Sequence, residues 1–177
     1  LINVVRTGTR QLAELLPDGS ELGIWEFGSQ LSPPRDYRTL LSRDPLHQDH
    51  RQQLIRATRA LAAEDTGTGL YDTILASYRY ARNRVQPGVP SHVVLFTDGR
   101  NADDPGSLTA NELKRGLEDA MDPDRPVIFT IVTFGPEPDA ELLGEILEPI
   151  DGYVDPVRTS ADVRSVFIHV AAGGVHH

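Results

Sequence analysis

The chain has 177 residues, with 26 acidic against 17 basic side chains and a formal net charge of −9 at neutral pH. Such a length is most simply one domain with a substantial core. The acidic balance argues against nucleic acid and anionic membrane surfaces as partners, because both need basic patches. Cysteine is absent, which excludes disulfides, thiolate metal sites and cysteine nucleophiles. No apolar run is long enough to span a bilayer.

The first third of the chain is predicted to contain one helix and two strands. Apolar residues at helical spacing mark a helix that ends at residues 17–20, Pro-Asp-Gly-Ser. A strand follows over residues 22–27, and a short edge strand over residues 36–41. We expect loops over residues 28–34 and 42–49, where glycine, proline and polar residues cluster.

The remainder alternates between helices and strands, which is typical of a mostly parallel sheet with helices on both faces. Thr109 and Glu112 have the spacing of a capping box at a helix start, and Ser160 is predicted to cap the last helix. We expect one α/β domain over residues 1–175, with His176 and His177 the remnant of a tag. The other predicted elements are a helix ending near Glu64, a helix over 70–85, strands over 93–96, 127–134 and 153–157, and a helix over 140–147. The buried face of the 70–85 helix is predicted to contain Leu70, Ile74, Leu75, Tyr78 and Ala81. In the helix that Thr109 begins, the residues predicted to face the core are Leu113, Leu117, Ala120 and Met121.

One short strand organises the site prediction. Val93 to Phe96 form an apolar run that ends in Thr97, Asp98 and Gly99, and the run is typical of a strand buried on both faces. Asp98 then follows the carboxyl end of a strand, where open α/β sheets bind ligands. The alternative is a buried strand followed by a plain Asp-Gly turn.

Other candidate motifs favour structural interpretations. Gly67-Thr68-Gly69 could begin a dinucleotide-binding motif, but Asp72 stands at its third glycine position and a helix, not a strand, precedes it. His47 and His50 are interpreted as solvated loop residues. Residues 103–106 are interpreted as an exposed turn. Serine-hydrolase, P-loop and zincin motifs are absent, and no carboxylate pair stands out as an acid and a base.

Two segments together carry a family resemblance. Residues 67–72, Gly-Thr-Gly-Leu-Tyr-Asp, and residues 93–99, Val-Val-Leu-Phe-Thr-Asp-Gly, are separated by one amphipathic helix. In this order they resemble the second and third metal-binding loops of the von Willebrand factor A domain family, and the resemblance extends over nearly the whole chain. It implies a Rossmann-like, doubly wound, mostly parallel sheet with a metal-ion-dependent adhesion site at its carboxyl edge.

The resemblance also implies a ligand set. Thr68 would offer its hydroxyl to the ion, and Asp98 would hold it directly or through water. Mg²⁺ is the expected ion, with Mn²⁺ or Ca²⁺ as alternatives, since these hard cations prefer oxygen ligands. A carboxylate of a protein partner would complete the coordination. The rim of this site would be formed by Gly67, Gly69, Gly99 and Arg100.

One family element has no counterpart in the sequence. The first metal loop, Asp-x-Ser-x-Ser, follows the first central strand in the family, and its nearest equivalent here, residues 18–20, lies after the first helix with Leu22 in place of the final serine. We therefore expect the first central strand and its loop to lie upstream of Leu1. Residues 36–38 and 98–108, with the arginine bias, resemble actinobacterial membrane-anchored proteins, which favours a location outside the cytoplasmic membrane over a cytoplasmic one.

The function expected from these features is non-enzymatic, metal-dependent binding of an acidic group on a protein. Two alternatives stay open. The domain could be a metal-independent scaffold, which a missing or degenerate Asp-x-Ser-x-Ser motif would favour. It could also be a metal-assisted hydrolase with Asp98 as ligand or nucleophile, although no acid or base partner is visible.

Overall fold

A computed structural model describes residues 2–61, 69–98, 101, 106–134 and 140–172. The chain divides into two compact units. The hairpin unit comprises Leu1–Thr66 with Thr159–Gly174, and the parallel-sheet unit comprises Gly67–Arg158 with Val175–His177. The expectation of a single domain over residues 1–175 stays a prediction.

The elements are α1 (Ile2–Leu15), β1 (Glu21–Ser32), β2 (Arg35–Pro45), α2 (Gln48–Ala60), α3 (Leu70–Arg82), β3 (Ser91–Thr97), α4 (Ala110–Ala120), β4 (Val127–Phe134), α5 (Ala140–Leu147), a 3₁₀ turn (Glu148–Ile150), β5 (Tyr153–Val157) and α6 (Ser160–Ala171).

In the hairpin unit, α1 and α2 each supply an arginine to the end of the other helix. Arg6 of α1 donates to the carbonyl of Leu61, which follows α2, at 2.5 Å. Arg51 of α2 donates to the carbonyl of Leu16, just after α1, at 2.9 Å, and to Asp18 at 2.8 Å. The last carbonyls of a helix lack partners within it and carry partial negative charge. The two arginines therefore stabilise both helix ends.

The β1–β2 hairpin is longer than the sequence predicted. The strands are antiparallel, and the ladder that pairs Phe27 with Tyr37 resumes at Ser32 and Arg35 after an irregularity. The predicted loop over residues 28–34 is therefore wrong for most of its length. The predicted loop over residues 42–49 is wrong as well, because β2 extends to Pro45 and α2 begins at Gln48. Pairing with a long partner strand outweighs the weak strand propensity of such residues.

The helix α6 packs on α1 where α1 has a glycine. A Cβ atom built on Gly8 would lie 2.2 Å from Cε2 of Phe167 and 3.1 Å from Val163. Both α6 side chains are buried. The absence of a side chain at Gly8 therefore allows α6 to pack closely on α1. The cap of α6 is Thr159, whose side chain accepts from the Asp162 backbone N–H. Ser160 is the first helical residue, so the predicted cap was displaced by one position.

The parallel-sheet unit contains a three-stranded parallel sheet in the order β3-β4-β5. The helices α3, α4 and α5 flank it, and the helix packing is tight where Gly116 of α4 meets Leu75 of α3. Phe129, Ile131 and Val132 of β4 are fully buried. The α/β class and the bounds of β4, α5 and β5 are as predicted, whereas α3 ends at Arg82 instead of near residue 85. The buried face predicted for α3 is confirmed.

Two burial predictions in this unit need correction. Leu95 and Thr97 of β3 are buried, but Val94 and Phe96 are only half-buried. Within the described residues β3 pairs with β4 alone, which accounts for the partial exposure of its second face. Met121 was predicted to face the core, yet it lies just beyond α4 and is 46% exposed. Among the described helices, none combines the length and the apolarity needed to cross a membrane.

Candidate functional site

Asp98 stands directly after β3, at the carboxyl end of the parallel sheet. It is exposed, whereas Thr97 before it is buried. The chain therefore turns out of the sheet between these two residues and presents a carboxylate at the edge. This is the position that the sequence predicted for Asp98. In open α/β sheets, ligands bind outside the carboxyl ends of the strands, where they contact the loops between strands and helices.

Gly69 forms the entry to α3. It is the N-cap residue and has a left-handed backbone conformation, with φ +46° and ψ +31°, which favours glycine because a Cβ is disfavoured there. Its carbonyl accepts hydrogen bonds from the backbone N–H of Thr73 at 3.2 Å and from the Thr73 hydroxyl at 2.8 Å. These bonds fix Gly69 at the first turn of α3.

The beginning of α3 lies at the same end of the sheet as Asp98. Tyr78 of α3 packs on Phe129 of β4, with ring centroids 6.3 Å apart. Thr133 is four residues further along β4, or about 13 Å at strand rise. Gly69 is nine residues before Tyr78 in the chain, or about 13 Å at helix rise. Eight residues connect the end of α3 to the beginning of β3, and in layered α/β folds such a helix runs antiparallel to the strands it covers. We infer that Gly69 comes level with Thr133.

Two threonines lie side by side beneath this edge. Thr97 of β3 pairs with Thr133 of β4 in the parallel ladder, so both side chains are on one face of the sheet. Phe129, which contacts α3, shares this face because the two positions are four apart, and side chains at even offsets along a strand lie on the same face. Thr133 is 1% exposed, and its hydroxyl has no hydrogen-bond partner among the described residues. A buried hydroxyl without a partner costs about 1–3 kcal/mol.

A hydrogen bond joins the beginning of α3 to the segment before α4. The backbone N–H of Leu108 donates to Oδ2 of Asp72 at 3.1 Å. The next residue, Thr109, forms the predicted capping box with Glu112, which is confirmed. The Glu112 carboxylate accepts from the Thr109 backbone N–H at 2.8 Å and from its hydroxyl at 2.7 Å. Both hydrogen bonds lower the pKa of Glu112, and the bond from the Thr109 backbone has the larger effect.

Four of the predicted site residues, Gly67, Thr68, Gly99 and Arg100, lie outside the described residues. Of the predicted set, the structure thus brings Asp98 and Gly69 to the same end of the sheet. Within the described ranges, no group of three or more His, Asp or Glu side chains could hold a metal ion. A site at this edge would therefore depend on hydroxyl, backbone or partner oxygens in addition to the carboxylate of Asp98.

Comparison with known proteins identifies the fold. The family model of the von Willebrand factor type A domain matches residues 2–167. The chain belongs to this family. A solved structure described as von Willebrand factor type A from Catenulispora acidiphila superposes with a TM-score of 0.75 at 18% identity. The match covers 97% of this chain but 37% of that one. No curated protein sequence matches the chain.

Family membership confirms the resemblance inferred from residues 67–72 and 93–99. It also confirms the α/β fold of this von Willebrand factor type A (vWA) domain, with a parallel sheet flanked by helices. At 18% identity the structural match supports the fold alone. The identity of the site residues therefore depends on where the chain itself places them.

Two polar residues at the edge were not predicted from the sequence. Thr133 lies within an apolar strand, so its orphan hydroxyl has no sequence signal. Asp72 was considered as a mismatch in a glycine motif and as the last residue of the segment 67–72 that resembles a metal-binding loop, but no role was predicted for it, although an acidic residue in the first turn of a helix is a visible signal. Residues 103–105 of the predicted exposed turn lie outside the described residues, while Gly106 is exposed with φ +103°.

The histidine prediction is wrong for His50. It lies in α2, is 7% exposed, and its Nε2 donates to the carbonyl of Leu22 at 2.8 Å. The cause of the error is the early start of α2, which places His50 in the helix. His47 is exposed and is the N-cap residue of α2. Both histidines belong to the hairpin unit and have structural positions.

Proposed function

We propose that this vWA domain is a non-enzymatic interaction module that binds a divalent cation at its carboxyl edge and, through it, an acidic group of a protein partner. Thr68 and Asp98 are the proposed ligands, with Gly67, Gly69, Gly99 and Arg100 around them. The observation that carries the proposal is the exposed carboxylate of Asp98 at the end of β3, level with the start of α3.

The residues present at the edge fit a hard cation. Mg²⁺ binds carboxylate and hydroxyl oxygens and keeps several of its waters; Mn²⁺ and Ca²⁺ also accept oxygen ligands. Asp98 provides the carboxylate, and the sequence provides the Thr68 hydroxyl directly before Gly69. The hydroxyl of Thr133, which has no hydrogen-bond partner in the part of the chain that the structure describes, adds a hydrogen-bonding group beneath this edge. When bound, the cation would supply the positive charge that attracts a partner carboxylate.

The roles of the protein residues follow from their positions. Asp98 presents negative charge at a point where the strand has ended and solvent reaches the side chain. Gly69 has a left-handed backbone at the start of α3, and Thr68 directly precedes it in the sequence. We propose binding, instead of turnover, as the activity of this edge, with the exposed carboxylate of Asp98 at its centre.

Calorimetric titration of the full-length protein with Mg²⁺ tests the proposal. We expect Asp98→Ala and Thr68→Ala each to weaken Mg²⁺ affinity by more than about tenfold, because loss of one outer-shell partner alone already costs 10–100-fold. Asp124→Ala is the matched control, since it removes the same charge from the exposed turn between α4 and β4. Unchanged affinity in Asp98→Ala would contradict the site, and a wild type that binds no Mg²⁺ would favour the metal-independent scaffold.

A further inference from the structure

The hydroxyl of Thr133 is a buried polar group that the contacts of the described residues leave unused. Thr133 is 1% exposed, and its Oγ1 has no hydrogen-bond partner in the ranges that the structure describes. Thr73, another buried threonine of the parallel-sheet unit, instead donates to the carbonyl of Gly69 at 2.8 Å. A buried hydroxyl without a partner is destabilising, so a ligand that supplies the partner gains affinity.

Asp98 lies close to this hydroxyl. Thr133 pairs with Thr97 in the parallel ladder, and neighbouring strands are about 4.8 Å apart. Asp98 is the next residue after Thr97, which adds about 3.8 Å along the chain. The Cα atoms of Thr133 and Asp98 are therefore within about 9 Å of each other. This limit follows from the register of β3 and β4 alone.

The two side chains differ in their access to solvent. Asp98 is exposed, whereas Thr133 is buried within β4. Mg²⁺ binds oxygen at about 2.1 Å and a water donates to a hydroxyl over about 2.8 Å, so one cation-bound water spans about 5 Å between the ion and a hydroxyl. Two side chains at the separation of Asp98 and Thr133 can therefore share an ion, one through its carboxylate and the other through a water.

Hard cations differ in how much they gain from a fixed water. Mg²⁺ requires near-ideal octahedral geometry and keeps several of its waters, whereas Ca²⁺ accepts oxygen ligands in a larger and more flexible shell. A hydroxyl held in place by a strand can fix one water at one position. Such a group suits the rigid shell of Mg²⁺ better than the adaptable shell of Ca²⁺.

We propose that Thr133 is a positioning residue of the carboxyl-edge site, whose hydroxyl accepts a hydrogen bond from a water of the bound cation and so favours Mg²⁺ over Ca²⁺. The inference rests on the proposed function and names the cation preference of that site. Thr133 is not a direct ligand in this account. Its role depends on Thr97 and Asp98, which the structure describes, and on no particular path of the chain after Asp98.

Separate calorimetric titrations of the full-length protein with Mg²⁺ and Ca²⁺ test the inference. Thr133→Val removes the hydroxyl and keeps the shape of the side chain. We expect Mg²⁺ affinity to fall about tenfold and Ca²⁺ affinity by no more than about threefold, because Ca²⁺ can rearrange its shell. Thr133→Ser retains the hydroxyl, so we expect it to preserve both affinities. The ratio of the two affinities is a readout that a purely structural role would not change.

Thr58→Val is the matched control, because it also removes the hydroxyl of a threonine that is 1% exposed. The Thr58 hydroxyl donates to the carbonyl of Leu54 within α2. We expect this variant to unfold at a lower urea concentration and to bind both cations as the wild type does. Urea unfolding of all three variants separates a loss of stability from a loss of binding.

The outcomes distinguish this inference from the function on which it rests. Wild-type Mg²⁺ affinity in Thr133→Val would overturn the role of Thr133 and leave the metal site intact. Equal weakening of Mg²⁺ and Ca²⁺ binding, or equal losses in Thr133→Ser and Thr133→Val, would also overturn it, because altered packing would then be the cause. If Asp98→Ala binds Mg²⁺ as the wild type does, the proposed function fails, and the role of Thr133 fails with it.

Discussion

Two buried threonines, one in the hairpin unit and one in the parallel-sheet unit, differ in how their hydroxyls are used. Thr58 in α2 and Thr133 in β4 are each 1% exposed. The Thr58 hydroxyl donates to the carbonyl of Leu54 at 2.6 Å, whereas the Thr133 hydroxyl has no partner among the described residues. The first hydroxyl supports a helix and is fully explained by the fold. The second lies beneath the edge that carries Asp98, and the contacts of the described residues do not account for it.

Two helical glycines, one in each unit, also differ in their surroundings, and they offer the largest expected effect. Gly8 of α1 touches the buried ring of Phe167, whereas a Cβ on Gly144 of α5 would meet nothing within 4 Å. We expect Gly8→Ala to lower the free energy of unfolding by about 1–3 kcal/mol through overpacking. Gly144→Ala should raise it by about 0.5–1 kcal/mol because alanine favours the helix.

Urea unfolding of the two glycine variants checks this prediction directly. Both substitutions add one methyl group to a helical glycine, so they differ in surroundings and little else. A Gly8→Ala protein as stable as the wild type would show that α6 can move away from α1. The contact between Gly8 and Phe167 would then not limit how closely α6 packs on α1.

A pair of smaller effects tests the threonine comparison itself. Thr58→Val removes a satisfied hydroxyl, and we expect a loss of about 1 kcal/mol. Thr133→Val removes an unsatisfied one of the same shape, so we expect no loss, or a gain of up to about 1 kcal/mol. Thermal or urea unfolding without added metal provides the measurement. A loss in Thr133→Val equal to that in Thr58→Val would mean that the Thr133 hydroxyl is already used by the fold.

The smallest effect concerns acid stability at the α4 capping box. Hydrogen bonds from Thr109 lower the pKa of Glu112 below its ordinary value of 4.5. The stabilisation from the ionised carboxylate is therefore present above that ordinary value and is lost as the pH falls through the lowered, folded-state value. We expect the stability difference between wild type and Glu112→Gln to shrink on acidification from pH 6 to about pH 3. A stability difference between the two proteins that does not change with pH would contradict a contribution of the ionised Glu112 carboxylate to this cap.

The parts of the fold that could be predicted from the sequence are those decided by local patterns. The apolar run of β4 and the spacing of Thr109 and Glu112 each specify an element within a few residues, and both were confirmed. The extension of β1 beyond Phe27 could not be predicted, because it depends on pairing with β2. The burial of His50 depends on the carbonyl of Leu22, 28 residues away.

The site shows the same division between local and long-range information. Asp98 could be placed at a strand end because the apolar run stops just before it. The hydroxyl of Thr133 becomes notable only when β3 and β4 are in register. The bond from Leu108 to Asp72 needs α3 and the start of α4 to be close in space. A single sequence therefore predicts the carboxylate but not the residues that surround and position it.

The most direct test of the cation site is the location of bound Mn²⁺ in an NMR spectrum of the full-length protein. A paramagnetic ion broadens the signals of nearby amides most strongly. Thr97 and Thr133 lie at the carboxyl end of the parallel sheet, and Ser91 and Val127 lie six residues earlier on the same strands, about 20 Å away at strand rise. We predict strong broadening at Thr97 and Thr133, little at Ser91 and Val127, and its loss in Asp98→Ala. Broadening centred on Ser91 and Val127, or unchanged by Asp98→Ala, would contradict a cation site at this edge.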